Sequence, residues 1–115
     1  MLKVSHKDFS CLLNMLDCIK KIQDYSGKFT TADNFYNDTI SFDASMMNFI
    51  VIGEMADKLS DNFIRETSQQ IDWAKVKGFR NIIAHNYFGI DAEEVWQIIK
   101  SNLPGLKNNL EKLIN

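Results

Sequence analysis

The chain has 115 residues with a formal net charge of −2, and 45 % of its residues are hydrophobic. This length fits a single domain over residues 1–115, large enough to bury a core without a disulfide or a structural metal. The charged fraction of 24 % is balanced between the two signs, which argues against a disordered tail. The strongly basic composition of many nucleic-acid-binding proteins is missing, so any contact with RNA must be local or must form between subunits.

The cysteines and the apolar stretches indicate the compartment. Cys11 and Cys18 fall on one predicted helix with about 10 Å between their Cα atoms, which is too far for a disulfide. Free thiols suit a reducing compartment. No signal peptide is recognisable, and the longest strongly apolar stretch, Phe49 to Ile52, is far shorter than the roughly 20 residues of a membrane span. We therefore expect a cytoplasmic protein without membrane contact.

The first predicted helix runs from about Ser5 to Tyr25. Ser5 followed by Asp8 resembles a capping box, and apolar residues recur behind it at helical spacing. Thr31 is placed to cap a short turn that holds Phe35.

A second long helix is predicted from about Asp38 to Leu59. Between Met46 and Ile52 every residue except Asn48 is apolar, which is typical of a helix covered on two sides. In a domain this small we expect the second cover to be another subunit. Gly53 inside the helix costs about 1 kcal/mol relative to alanine, which indicates a close approach of another backbone. The apolar stripe of this helix is assigned to Ile40, Ala44, Met47, Val51, Met55 and Leu59.

Three further helix starts are predicted downstream. Asp72 is placed to cap a third helix, and Asp91 with Glu94 forms a second capping-box pattern. Pro104 can open a last helix at its first turn. Because no segment has a credible strand pattern, the prediction is an all-α fold, a bundle of four or five helices.

Candidate chemistry is concentrated between Gly78 and Tyr87. Arg80 carries a permanent charge on a planar group that fits phosphate, and His85 can exchange a proton near neutral pH. These two groups suffice for RNA cleavage by the ribose 2′-hydroxyl, since the substrate supplies its own nucleophile. The histidine moves the proton and the arginine stabilises charge on the phosphate oxygens.

Helical geometry constrains this pair. At about 100° per residue, Arg80 and His85 lie about 140° apart around the axis, whereas Tyr87 falls nearly in line with Arg80 and Asn81 in line with His85. One ideal helix therefore does not aim both groups at one point. Either the helix loosens near His85, or a second copy of the chain completes the site across a two-fold axis.

Other motifs are absent or ordinary. The sequence has no glycine-rich phosphate loop, no Cys-x-x-Cys pair and no His-Glu-x-x-His motif. His6 stands without partners and is expected to be a surface residue. The acidic group Asp91, Glu93 and Glu94 is expected to serve the helix start, where the dipole favours negative charge.

The segment around Arg80 resembles the HepT-like family, a branch of the HEPN superfamily of helical-bundle proteins. Arg80, His85 and Tyr87 match its Arg-x-x-x-x-His-x-Tyr signature, and Asn81 completes the wider arginine–asparagine form. The resemblance extends from about Phe9 to Leu113. Three further features agree with it: the segment Ile52-Gly53-Glu54, Trp73 ahead of the motif, and Ile90-Asp91 followed by Val95-Trp96.

The resemblance implies the toxin of a type II toxin–antitoxin system, acting as an endoribonuclease that needs no metal or other cofactor. It implies a two-fold homodimer of HEPN bundles, in which the pairs of Arg80 and His85 line a shared cleft. Asn81 is a candidate for orienting His85, and Glu54 is a second supporting candidate. The expected partner is a small nucleotidyltransferase antitoxin, which in this family can attach AMP to the motif tyrosine, here Tyr87.

Two other functions stay open on the sequence. The chain could be a non-catalytic HEPN bundle that serves as the binding or scaffolding partner of a nucleotidyltransferase, or a nucleotide-binding module in which Arg80 holds phosphate without cleavage. The intact pair of Arg80 and His85 favours the enzyme, because a scaffold does not need it.

Overall fold

The chain is described by a computed structural model over residues 4–85 and 91–115, with only the backbone given for residues 82–85. The described residues contain no strand, which confirms the all-α prediction. The helices are α1 (His6–Ser26), α2 (Ala32–Asn37), α3 (Thr39–Asp57), α4 (Asp61–Thr67), α5 (Trp73–His85), α6 (Ala92–Gln97) and α7 (Leu103–Ile114). A π-helical turn (Ile98–Asn102) joins α6 to α7. None of the helices in the described ranges is long and apolar enough to cross a membrane.

The predicted helix starts are confirmed by their caps. The side chains of Ser5, Thr31, Asp38 and Asp91 each accept a hydrogen bond from a backbone N–H in the first turn of their helix. Asp72 does the same for α5, accepting from the N–H of Lys75 at 3.2 Å. Each cap satisfies a donor that the helix itself leaves unpaired.

The helix α4 was not predicted, and it depends on a contact with α1. Ser60 caps α4, and its own N–H and hydroxyl donate to the Asp8 carboxylate at 2.9 and 2.7 Å. Asp8 is 2 % exposed. Burial raises the pKa of Asp8, but the hydrogen bonds from Ser60 and Ser5 lower it by a larger amount. The pKa of Asp8 therefore lies below its usual value. The carboxylate therefore fastens the start of α1 to the start of α4.

Pro104 lies in the first turn of α7, as predicted, but the turn that precedes α7 is π-helical. The proline has no N–H to donate and its ring crowds the carbonyl four residues earlier. The backbone adapts by widening, and the N–H of Leu103 bonds to the carbonyl of Ile98, five residues earlier. The π-helical turn thus leads directly from α6 into the start of α7.

The core lies between α3 and its two main neighbours, α1 and α5. Four of its members on α1 are fully buried: Leu12, Met15, Ile19 and Ile22. Burial of each such side chain contributes about 1.5–3 kcal/mol. Cys11 and Cys18 are buried free thiols in this core, as expected.

The core face of α3 is not the predicted one. The buried apolar positions are Phe42, Met46, Phe49, Ile52 and Ala56. Of the predicted stripe, Leu59 is buried just beyond the helix, Ala44, Val51 and Met55 are half-buried, and Ile40 and Met47 are exposed. Ile40 is 83 % exposed and Met47 60 % exposed. Both faces of α3 are apolar, and hydrophobic periodicity alone does not tell which one turns inward. We call Ile40, Ala44, Met47 and Val51 the outer stripe of α3.

Candidate active site

The site is built where α3 and α5 approach each other at Gly53. A Cβ atom placed on Gly53 would lie 2.7 Å from the Cβ of Arg80 and 3.3 Å from its backbone nitrogen. Only glycine leaves room for the two backbones at this distance. The predicted close approach at Gly53 is confirmed, and the residue that approaches is Arg80.

Arg80 is held by a carboxylate next to that contact. Its NH1 donates to Glu54 Oε1 at 3.0 Å, and the Arg80 side chain is 30 % exposed. The hydrogen bond that Arg80 donates to Glu54 and the negative charge of that carboxylate raise the pKa of Arg80, which keeps the side chain charged. Arg80 is therefore fixed at its base by helix packing and at its tip by an ion pair, while part of it still faces solvent.

A second carboxylate, Asp57, contacts two cations on α5. Asp57 Oδ2 lies 3.7 Å from Arg80 NH1, and Oδ1 lies 3.9 Å from Lys77 Nζ. Asp57 follows Glu54 by three residues and Lys77 precedes Arg80 by three, so each pair shares one helix face. Sequence reasoning overlooked both Asp57 and Lys77, although this matching spacing on two helices was the signal that could have identified them.

The other predicted site residues are placed in different ways. Asn81 is exposed on α5, beside Arg80 in sequence. His85 is the last residue of α5, and its side chain lies outside the described part of the chain, as does the whole of Tyr87. The structure therefore brings Arg80 and Glu54 together and leaves the positions of the His85 and Tyr87 side chains open.

The expectations for His6, a surface residue, and for Asp91, a helix cap, are both confirmed. His6 is exposed at the start of α1. Asp91 accepts hydrogen bonds from the N–H groups of Glu93 and Glu94 and caps α6. Among the described side chains, those of residues 4–81 and 91–115, no group of three His, Cys, Asp or Glu is arranged to hold a metal ion.

A cleft of about 240 Å³ opens on another face of α5, towards α7. Val76 and Phe79 form part of its apolar wall, and Lys75, Asp72 and Asn109 line its polar part. Asp72 and Asn109 already serve the fold, as the cap of α5 and as a donor to the carbonyl of Gln70. One polar atom of each side chain is thus engaged in a structural hydrogen bond.

Comparison with known proteins agrees with the sequence features. A family model described as "Ribonuclease HepT-like" matches residues 15–113. A protein of Thermococcus cleftensis, named "Probable ribonuclease HepT", is 29 % identical over 112 residues, which cover 97 % of this chain and 98 % of the relative. No solved structure matches the chain.

Two relatives from Methanocaldococcus jannaschii extend the comparison. One, named "Gamma-glutamylcyclotransferase and putative RNase", is 32 % identical over 109 residues, which cover 94 % of this chain and 48 % of the relative. The chain thus spans about half the length of that protein. The other, named a "Putative RNase", is 33 % identical over 79 residues, covering 69 % of this chain and 72 % of the relative. With a family match over most of its length, the chain belongs to the ribonuclease HepT-like family.

Proposed function

We propose that the protein is a metal-independent endoribonuclease in which Arg80 and His85 are the catalytic residues. The observation that carries the proposal is the position of Arg80, which Gly53 and Glu54 fix in a chain that belongs to a ribonuclease family. A charged group held in place before substrate arrives stabilises developing charge without further reorganisation.

In the proposed reaction the ribose 2′-hydroxyl attacks the adjacent phosphorus and the bond to the 5′-oxygen breaks. His85 takes the proton of the 2′-hydroxyl, and the departing 5′-oxygen takes a proton from solvent water, which is regenerated when His85 later releases its proton. Arg80 neutralises the charge that builds on the non-bridging phosphate oxygens. The products are a 2′,3′-cyclic phosphate and a 5′-hydroxyl end.

Glu54 and Asn81 act as positioning residues in this scheme. Glu54 holds the guanidinium by the hydrogen bond at 3.0 Å. Asn81 precedes His85 by four residues, one turn away on the same helix face, and is placed to orient its imidazole.

We further propose that two copies of the chain assemble through the outer stripe of α3. Ile40, Met47 and Glu54 follow each other at intervals of seven residues, so they lie on one face and the stripe ends at the Glu54–Arg80 pair. A copy that covers the stripe would then lie beside Arg80. Because the backbone of α5 stays α-helical as far as His85, the 140° separation favours a site shared between subunits.

Control by a nucleotidyltransferase antitoxin is part of the proposal. An AMP group on Tyr87, two residues after His85 in the sequence, would add a negative phosphodiester to the motif that contains Arg80. That charge would compete with RNA phosphate for the guanidinium, and the nucleoside would block the cleft. The test is the intact mass of the chain after co-expression with a nucleotidyltransferase. Wild type should gain the mass of AMP, and Tyr87→Phe should not.

The central experiment is incubation of the purified chain with total RNA and with tRNA in excess EDTA, followed by analysis of the new ends. We expect cyclic phosphate and 5′-hydroxyl ends from wild type and no cleavage by Arg80→Ala or His85→Ala. The chain has two arginines and two histidines, so Arg65→Ala and His6→Ala are matched controls that should cleave normally.

The outcomes separate the candidate functions. Cleavage by His85→Ala at the wild-type rate would refute the assignment of the base. Loss of activity in EDTA with recovery in magnesium would refute metal independence. If the chain binds RNA but never cleaves it, the nucleotide-binding module is favoured. If the chain does not bind RNA but does bind a nucleotidyltransferase, the scaffold is favoured.

A further inference from the structure

Lys77 and Arg80 form a pair of cations on one face of α5, and one carboxylate connects them. The two oxygens of Asp57 are divided between them, with Oδ1 towards Lys77 and Oδ2 towards Arg80. A group with two anionic oxygens thus already lies between the two cations. The non-bridging oxygens of a phosphodiester offer the same arrangement of charge.

The two carboxylates of α3 hold these cations with different strength. Glu54 is within hydrogen-bond distance of Arg80 at 3.0 Å. The contacts of Asp57 at 3.7 and 3.9 Å are longer than hydrogen bonds, and its side chain is 53 % exposed. Glu54 is therefore a firm partner of Arg80, and Asp57 is a loose one that a competing anion can displace.

The charges of this cluster cancel. Lys77 and Arg80 contribute two positive charges, and Glu54 and Asp57 two negative ones. An approaching phosphate meets no net attraction while both carboxylates stay in place. Displacement of Asp57 leaves Lys77 and Arg80 with Glu54 alone, and the remaining positive charge is available to the phosphate.

We propose that Lys77 and Arg80 together bind the phosphates of single-stranded RNA, and that Asp57 occupies this pair until RNA displaces it. Lys77 is then a substrate-binding residue beside the scissile phosphate, and Asp57 is a built-in competitor that weakens binding. This inference rests on the proposed role of Arg80 in RNA cleavage, but it concerns binding and is tested without cleavage.

The probe is a fluorescently labelled single-stranded oligonucleotide with 2′-O-methyl riboses, which lacks the attacking hydroxyl. Binding is measured by anisotropy with the full chain at several salt concentrations. Lys77→Gln should weaken binding roughly fivefold and lower the slope of log affinity against log salt by about 0.7, the value for one phosphate on a single strand. Lys77→Arg should restore both.

Asp57→Asn should tighten binding by a similar factor and should lose most of this gain in the double variant with Lys77→Gln. The matched controls are Lys75→Gln, which removes the same charge from the α7-facing side of α5, and Asp17→Asn, which breaks an exposed Asp–Lys pair on α1. Both should bind with nearly wild-type affinity.

Equal effects of Lys77→Gln and Lys75→Gln would overturn the inference, because the cluster would then act only through general charge. Weaker binding by Asp57→Asn would also overturn it, as would wild type that does not bind the probe. If wild type and the variants bind the probe as described but RNA is never cut, the proposed catalysis is refuted, whereas phosphate binding by Lys77 and Arg80 is supported. If RNA is cut and Lys77→Gln binds the probe as tightly as wild type does, phosphate binding by Lys77 is refuted and the proposed catalysis is not.

Discussion

Gly53→Ala is the sharpest perturbation of the site, because it adds one methyl group where α3 meets α5. The new Cβ would lie 2.7 Å from Arg80 Cβ and 3.5 Å from Arg80 Cα. The contact is with the rigid base of Arg80, so rotation of its flexible end cannot relieve it. The two helices must separate at this point.

The size of the effect follows from the distances. To reach an ordinary contact of 3.4 Å, Arg80 Cβ must retreat by about 0.7 Å. Alanine gains about 1 kcal/mol over glycine in a helix, and overpacking costs about 1–3 kcal/mol, so the net loss of stability is at most about 2 kcal/mol. A displacement near 1 Å of a catalytic group costs about a hundredfold in rate. We therefore expect a folded variant with 10- to 100-fold slower RNA cleavage.

The assay pairs single-turnover cleavage with urea unfolding. Gly105→Ala is the matched control, because a Cβ at Gly105 meets nothing within 4 Å. It should keep full activity and gain up to about 1 kcal/mol in stability. Wild-type turnover by a folded Gly53→Ala would refute the reasoning that this close approach places Arg80.

Three further predictions concern stability, assembly and thiol reactivity. Asp8→Asn should lower the free energy of unfolding by about 2 kcal/mol at neutral pH. Because the folded pKa of Asp8 is below its usual 3.8, this stabilisation is present above 3.8 and is lost as the pH falls through the folded value, so urea unfolding of the two proteins should converge in acid. Met47→Glu should turn a sedimenting dimer into a folded monomer without RNase activity, whereas Asn108→Glu on α7 should not; a dimeric Met47→Glu would contradict the outer-stripe interface. Cys11 and Cys18 are buried and burial raises their pKa, so a thiol reagent should modify them only on unfolding; fast reaction in the native state would be inconsistent with the core described.

The long helices and their starts were predictable because the forces that fix them are local. A side-chain oxygen that accepts from an N–H two or three residues later is visible in sequence, as at Ser5 and Asp91. The helix α4 could not be recognised from local sequence patterns in the same way. It has seven residues, and its Ser60 cap is fixed by Asp8, 52 positions earlier in the chain.

The sequence did not predict which face of α3 packs into the core, because two faces of this helix are apolar. The sequence places Phe42 and Ile40 on different sides of the helix without saying which side the domain buries. Packing between helices sets which face of α3 is buried. The ring centroids of Phe35 and Phe42 lie at a distance of 5.2 Å, and those of Phe49 and Phe79 at 5.6 Å. These contacts join segments that no local pattern connects.

Within the site, the sequence identified Arg80 and Glu54 but not that they meet. Their contact spans 26 residues and depends on two helices packing in one register. Lys77 and Asp57 were overlooked because each is an ordinary charged residue on its own helix. The roles of His85 and Tyr87 stay predictions, which the cleavage and mass experiments test.

The pairing of a glycine with a following glutamate has a physical reason in this fold. Helices usually pack with their axes about 8–10 Å apart, at a spacing set by the side chains between them. Gly53 removes the side chain at the contact, so the base of Arg80 comes against the α3 backbone. Glu54 is the next residue and lies about 100° further around the helix, beside the contact. Its carboxylate then meets a guanidinium whose base is already fixed. A larger residue at position 53 would move Arg80 outward and weaken the Glu54 contact together with the helix packing, so the two positions constrain Arg80 as one unit.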